Sequence, residues 1–299
     1  MVSVIIPTYG GGDGIKKVID SVLCQTYKDV EIIVVDDNGR ETENQLKTAE
    51  ELKEYIEQKK IQYITPESNA GGSAARNTGA KASGGEYLMF LDDDDTVSHD
   101  KIEKQVEALK KAGKKCGLAY CSTKVFSNGE LSNIIVAKKS GDILYRYMMG
   151  KIYIGTGTAL ILREAWESLG GYDESFKRHQ DWEFFARVLN KYEAVAVPDA
   201  YFNRYITNRN LTKRADILET YCDHYIAFLK NYDFRISKNK LRNVINLNNS
   251  RIALQCLKEK NIKKCTKMLS KYDNAVRAYL SFALFCVSVC IDKFTGKKS

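Results

Sequence analysis

The stretch Tyr87-Leu88-Met89-Phe90-Leu91-Asp92-Asp93-Asp94-Asp95 runs five apolar residues straight into four carboxylates. A short, unbroken apolar run suits a strand buried on both faces, the kind that parallel sheets contain. Adjacent carboxylates repel one another, so four at the end of a buried strand require relief. A solvated acidic turn, or a cap for a helix beginning near Lys101, would provide it. A divalent cation would provide it too. Hard carboxylate oxygens suit Mg2+ or Mn2+, and such an ion keeps coordination positions for phosphate oxygens. It then stabilises the charge that builds on a leaving diphosphate.

Outward from this stretch the same pattern recurs. Residues 2–6 are apolar and β-branched and end in Pro7-Thr8-Tyr9-Gly10. Residues 31–35 form a second such run, ending in Asp36-Asp37-Asn38-Gly39, and residues 61–64 a third, before the turn Asn69-Ala70-Gly71-Gly72. Between them, Ile15, Val18, Ile19, Val22 and Leu23 recur at helical spacing, residues 43–59 read as a charged helix, and 73–82 as a small-residue helix. Strand–helix alternation predicts right-handed βαβ units and an α/β fold with a parallel sheet. Ligands of such sheets bind beyond the carboxyl ends of the strands, which here carry Tyr9, Asp37 and Asp92–Asp95. Downstream, the patterns predict a helix over 101–111, a strand over 116–126, a crossover without strong period over 133–150 and a helix from 161 to 169. The turn Gly170-Gly171-Tyr172-Asp173, a helix over 181–189 and two closing strands at 195–198 and 201–205 follow. After Leu211 the pattern is helical throughout.

Two further motifs bear on chemistry. Gly10 to Gly14 follow a strand, but the dinucleotide fingerprint fails, because its third glycine falls on Ile15 or Lys17. No GxxxxGK exists either, so this segment reads as a flexible turn. Asp181 opens a helix in His179-Gln180-Asp181-Trp182-Glu183. An Asp there is commonly a cap, but an aromatic ring beside a carboxylate also suits sugar stacking with a general base at hand.

In chain order come Val2-Ser3-Val4-Ile5-Ile6-Pro7-Thr8-Tyr9, Val34-Val35-Asp36-Asp37-Asn38, and Asn69-x-Gly71 with Ala75-Arg76-Asn77-x-Gly79. Phe90-Leu91-Asp92-Asp93-Asp94-Asp95, Gly170-Gly171-Tyr172-Asp173-Glu174 and Gln180-Asp181-Trp182-Glu183 complete the series. Together these blocks strongly resemble family-two glycosyltransferases of the GT-A fold. Any one block is weak, whereas the ordered set across the first two-thirds of the chain is specific. The resemblance implies a Rossmann-like, mostly parallel sheet flanked by helices. It implies an inverting transferase using a nucleotide-diphosphate sugar, in particular a UDP-sugar, with Mn2+ or Mg2+. Carried over by position, Thr8, Tyr9 and Asp37 hold the base and ribose, and Arg76 lies near the diphosphate. Asp92 and Asp93 bracket ribose and donor sugar, Asp94 ligates the metal, and Asp181 is the catalytic base. Two positions depart from the pattern. Gln180 stands where many relatives have Glu, and the region after the last strand, Arg204-Tyr205-Ile206-Thr207-Asn208, lacks the histidine many carry. Arg204 and Asn208 are the candidates to replace it.

Other readings remain open at this stage. A sugar-nucleotide nucleotidyltransferase also uses such a sheet and a carboxylate-bound metal, but needs a basic triphosphate loop, and residues 7–13 contain no basic residue. A non-catalytic nucleotide-sugar-binding protein is disfavoured by the intact Asp37, Asp94 and Asp181.

The 299 residues carry a formal charge of +8, unevenly placed. Residues 213–299 hold 18 Lys/Arg against 7 Asp/Glu, while residues 1–212 hold 28 against 31. The split suggests a GT-A domain over 1–212 and a basic helical extension over 213–299. The near-neutral front argues against a nucleic-acid partner. Within the extension, residues 278–291 run fourteen residues without a charge, short of the ~20 a bilayer span needs. This segment reads as a core or homo-oligomer helix, or as an interfacial membrane helix, with the flanking lysines favouring an anionic membrane surface. The eight cysteines include no CxxC pair and suit reduced core thiols. With no signal-peptide pattern after Met1, the expected location is the cytoplasm, with peripheral contact at the inner membrane face. The expected partners are a nucleotide-sugar donor and a glycan or lipid-linked acceptor.

Overall fold

A computed structural model describes residues 1–10, 14–206, 215–271, 282–283 and 286. The chain divides into two compact units, Met1–Leu144 with Ile152–Asn208, and Tyr145–Lys151 with Arg209–Ser299.

The first unit opens with the expected alternation: β1 (Val2–Thr8), α1 (Ile15–Leu23), β2 (Val30–Asp36), α2 (Glu43–Glu57), β3 (Gln62–Ile64), α3 (Gly72–Ala82) and β4 (Tyr87–Phe90). These four strands are parallel, in the order β3-β2-β1-β4. Val4, Ile5, Ile6, Ile33, Val34 and Val35 are fully buried, so both sheet faces are covered, which is why their sequences do not alternate. The small residues of α3 let it lie close to the sheet. A Cβ at Gly79 would stand 2.5 Å from Ile5 Cγ2 and 3.1 Å from Val35 Cγ2.

Beyond β4 the sheet becomes mixed. β5 (Thr96–Val97), α4 (Lys101–Ala112), β6 (Cys116–Ser127) and β7 (Glu130–Ile135) come next. They are followed by α5 (Leu144–Met148), β8 (Ala159–Leu162), α6 (Arg163–Glu167), α7 (Gln180–Lys191) and β9 (Glu193–Ile206). The order continues β4-β8-β6-β9-β5, with β7 paired to β6. β8 runs antiparallel to both β4 and β6, β9 runs parallel to β6, and β5 closes antiparallel on β9. The expected helix over 161–169 is therefore the end of a strand followed by a shorter helix. Leu160 and Ile161 pair with Ala119, Leu118 and Leu88, partners that local spacing does not reveal. The two expected closing strands are one long strand. It passes Pro198 at a register shift where the Ser122 hydroxyl donates to the Pro198 carbonyl. The crossover expected over 133–150 contains the end of β7 and all of α5. α4 is amphipathic as expected, except at its first residue. Lys101 is fully buried, its Nζ 3.0 Å from Met89 Sδ, and burial pulls its pKa down to about 8.

The second unit includes α8 (Ala215–Asn231), α9 (Lys238–Lys258) and α10 (Ile262–Leu269). Its core gathers Cys222, Ile252, Ala253, Cys256, Cys265, Met268 and Leu269 with Phe282. All described cysteines are free thiols. The apolar segment 278–291 lies outside the described residues except for Phe282 and Ala283, and Cys286. Among the described residues, no helix is long and apolar enough to cross a membrane.

Candidate active site

The site begins where β1, β2 and β4 end. Parallel pairing sets Thr8 beside Asp36, and the Asp37 N–H donates to the Thr8 carbonyl at 2.9 Å. Asp36 is internal: its carboxylate accepts from Tyr63 OH at 2.5 Å and Asn38 Nδ2 at 2.7 Å. Asn38 in turn accepts the Gly10 N–H at 2.8 Å, fixing the chain beyond β1. Asp37 is buried against the turn before α3, accepting from Ala70 N–H (2.9 Å), Gly71 N–H (2.8 Å) and Asn69 Nδ2 (3.0 Å). Tyr9 stands 63% exposed at the rim.

The four aspartates of the acidic run have different surroundings. Asp92 Oδ1 takes Arg76 Nη2 at 2.6 Å, and Asp93 Oδ2 takes the Thr8 hydroxyl at 2.6 Å. Asp94 is half-buried between them and the next residue. Asp95 turns inward to the Tyr205 N–H at 2.9 Å, tying the run to β9. Burial and the neighbouring Asp92 push its pKa up to about 8, against the opposing pull of that N–H and Arg204. Among the described residues, no three His, Cys, Asp or Glu side chains converge as a closed metal cage. Hard carboxylates in a row fit instead the habit of Mg2+, which binds one or two carboxylates and takes its other ligands from phosphate and water.

The start of α7 faces this run. Arg76, 8% exposed, donates to Asp92 and, through Nη1 at 2.8 Å, to Gln180 Oε1. Gln180 Nε2 is anchored on the Phe176 carbonyl at 2.9 Å. The guanidinium folds back over Gly72, where a Cβ would stand 2.9 Å from Nη1 and 3.2 Å from Gln180 Oε1, so the first residue of α3 leaves room for both. Burial works against the charge on Arg76, but Asp92, Tyr172 and Asp181 around it more than offset that and hold its pKa above the usual value. The next residue, Asp181, is half-buried. Burial raises its pKa, opposed by the Trp182 N–H at 3.0 Å and by Arg76, and reinforced by Asp92. A raised carboxylate is a better proton acceptor near neutrality. His179, at φ 59°, stacks on Trp182 with centroids 4.2 Å apart.

The candidates Thr8, Tyr9, Asp37 and Asp92–Asp94 thus stand at the carboxyl ends of β1, β2 and β4, Arg76 on α3 and Asp181 on α7, and a hydrogen-bonded chain Asp92–Arg76–Gln180 joins the acidic run to the residue beside Asp181. Two further residues border the site, Tyr153 without any signal in the sequence and Tyr172 inside the Gly170–Glu174 block but with no role assigned from it. Tyr153 has its hydroxyl 3.5 Å from Arg204 Nη1. Its pKa is pushed to about 12, by burial first, then by Asp181, Asp95 and Asp92 against Arg204. Tyr172 lies under Arg76, ring centre 5.6 Å from the guanidinium carbon, and stacks on Phe184 at 4.1 Å. Asn208 is outside the described residues; Arg204, the other candidate for the missing histidine, does reach the site.

The family model described as Glycosyl transferase family 2 matches residues 3–169. An uncharacterised glycosyltransferase of Rickettsia typhi is 33% identical over 241 residues, covering 77% of this chain and 72% of that one. The amylovoran biosynthesis glycosyltransferase AmsB of Erwinia amylovora is 28% identical over 215 residues, 67% of this chain and 69% of its own. Among solved structures, S. aureus TarS 1-349 in complex with UDP-GlcNAc superposes with a TM-score of 0.64 at 16% identity, covering 86% of this chain and 72% of that one. The mannosyltransferase PcManGT from Pyrobaculum calidifontis, in complex with GDP-Man and Mn2+, gives 0.63 at 18% identity, covering 97% and 80%. At such identities these two structures speak for the fold alone.

Proposed function

The chain belongs to glycosyl transferase family 2, and from that premise we propose that it moves one sugar, with inversion, from a UDP-sugar to an acceptor hydroxyl. Asp181 is the base. The acceptor oxygen attacks the anomeric carbon from the face opposite the diphosphate. The bond from that carbon to the diphosphate oxygen breaks, its electron pair leaving with the nucleotide, while the hydroxyl proton passes to Asp181. No covalent intermediate forms. The observation that carries this reading is the Asp92–Arg76–Gln180 chain. It sets the proposed base, on α7, in a fixed relation to the carboxylates at the end of β4.

Arg76 brings a cation to the departing diphosphate, and Thr8 holds Asp93 in place. Thr8, Tyr9 and Asp37 border the region assigned to base and ribose. Asp94, with Asp92 and Asp93 beside it, would hold Mn2+ or Mg2+, which supplies charge neutralisation to the leaving group. Tyr153, kept protonated by its surroundings, remains a hydrogen-bond donor toward a sugar hydroxyl. The relative from amylovoran biosynthesis supports a place in polysaccharide biosynthesis, and the acceptor we propose is a lipid-linked glycan.

The test is a nucleotide-sugar panel with Mn2+, reading donor hydrolysis and thermal shift; a donor that binds the native state raises the melting temperature. One UDP-sugar should shift and turn over, and Asp94→Asn should abolish the metal-dependent part of the shift while the fold survives. Absence of any metal-dependent nucleotide-sugar binding overturns the reading.

A further inference from the structure

The elbow between α9 and α10 belongs to the helical unit and contains none of the residues assigned to the transferase site. It is locked by its backbone. The Lys260 N–H, at φ 59°, donates to Leu257 O at 3.0 Å, the Asn261 N–H to Cys256 O at 2.8 Å, and the Asn261 side chain caps Lys264 N–H at 3.0 Å. This fixed turn presents two aliphatic side chains to solvent, Ile262 at 67% exposure and Leu257 at 45%. α10 buries Cys265, Met268 and Leu269. Ile262 stands one turn before Cys265 on the same stripe and so carries it past the edge of the core.

Lys258, Lys260, Lys263 and Lys267 stand exposed around these two side chains. Of three acidic groups in this part of the unit, two are paired with lysines other than these four, and only Glu259 adds its charge to the elbow. Glu219 takes Lys264 at 2.7 Å, Asp223 takes Lys271 at 3.1 Å, and Glu259 accepts from Gln255 Nε2 at 3.0 Å. Aliphatic residues flanked by four lysines against the one carboxylate of Glu259 complement an anionic bilayer surface, where alkyl groups sit below the phosphates and ammonium groups at their level. We propose that this elbow inserts Leu257 and Ile262 into an anionic membrane surface while Lys258, Lys260, Lys263 and Lys267 contact lipid phosphates. The proposal does not depend on the transferase reading.

Flotation of the full chain with vesicles of phosphatidylcholine mixed with phosphatidylglycerol, against phosphatidylcholine alone, tests it. The protein should float with the anionic vesicles only, and high salt should release it. Leu257→Glu with Ile262→Glu should abolish flotation at unchanged melting temperature, since both side chains are exposed. Lys260→Gln and Lys263→Gln should each lower partitioning roughly fivefold at low salt, the equivalent of about 1 kcal/mol per lysine. Wild-type protein that stays in solution overturns the proposal, as does a double Glu variant that floats like wild type, which would place the contact elsewhere in the chain. A double variant that instead changes the sizing-column mass with flotation unmoved also overturns it and makes the elbow a contact between copies. A double variant that melts early is replaced by Leu257→Ser with Ile262→Ser, judged by the same outcomes.

Discussion

Two carboxylates stand two residues apart at the start of α7, and each faces its own arginine. Glu183 and Arg187 are both buried and closed on themselves. The guanidinium donates to both Glu183 oxygens through Nε and Nη2, and Nη1 reaches Leu169 O and Nη2 also Gly171 O, each at 2.8 Å. Asp181 and Arg76 are arranged differently. They feel each other's charge, but Arg76 bonds to Asp92 and Gln180, and its buried Nε has no hydrogen-bond partner. Arg187 turns its donors to Glu183 and the turn Gly170-Gly171, whereas Arg76 keeps an N–H without a partner. The same residue types serve as brace in one case and, in the proposed mechanism, as machinery in the other, and the arginine's remaining donors tell them apart.

The largest effect that would break this contrast is on turnover. Asp181→Asn should depress kcat by ~10²–10⁴-fold, with donor affinity and melting temperature unchanged, because the substitution keeps the size of the side chain and its acceptor oxygen for the Trp182 N–H at 3.0 Å. In the wild type, kcat should fall as pH drops through a pKa lying above the usual aspartate value, the proton then occupying the base. Near-normal turnover of the variant at saturating acceptor would remove Asp181 from the mechanism.

Glu183→Gln should give the mirror image. It leaves Arg187 buried without its charge partner, a loss of about 3–5 kcal/mol of unfolding free energy in denaturant titrations. Donor hydrolysis below the lowered melting temperature should persist. Equal stability losses for Asp181→Asn and Glu183→Gln would erase the distinction.

Much of this was legible from the chain. The unbroken apolar runs ending near Thr8, Asp36 and Asp92 fixed the parallel half of the sheet, and strand ends in such sheets converge by topology. The mixed half was not legible. Strand β8 exists because Leu88 and Leu118 flank it, and its apolar spacing alone suits a helix equally well. Asp181 could be placed through its motif, but the split between Asp181 and Glu183 lies in Arg187, a residue with no motif. Tyr153 was invisible because its position depends on Arg204, fifty-one residues away.

Arg76→Met sharpens the contrast from the other arginine. UDP affinity with Mg2+ present, read by calorimetry, should fall by the roughly 1.5–3 kcal/mol of a charge-assisted hydrogen bond. Stability should change by about 1 kcal/mol or less, since Asp92 is part-exposed and can hydrate. A stability loss as large as that of Glu183→Gln would make Arg76 a brace as well.

Lys101 supplies the limiting case, a buried cation with no carboxylate partner among the described residues. Lys101→Met should stabilise the fold by about 1–2 kcal/mol at neutral pH, because a desolvated ammonium is replaced by an apolar side chain of similar length. The native amine titrates near 8 and the unfolded one near 10.5. Between those values the unfolded chain holds more protons, so wild-type stability should rise with pH across that window. The variant should lack that rise in chemical melts; an identical profile in both proteins would show that Lys101 is not the titrating group.

Asp37 invites a different consideration. Two backbone N–H groups and one side-chain amide already hold its carboxylate, leaving one lone-pair direction for a visitor. A ribose hydroxyl arriving there meets an acceptor whose rotational entropy was lost at folding, so ordering that side chain adds nothing to the cost of binding. The same latch also reports on occupancy. Tension on Asp37 is tension on the turn that starts α3, and amide exchange at Ala70 and Gly71 should slow when a nucleotide is bound, giving a residue-level clock for ligand residence.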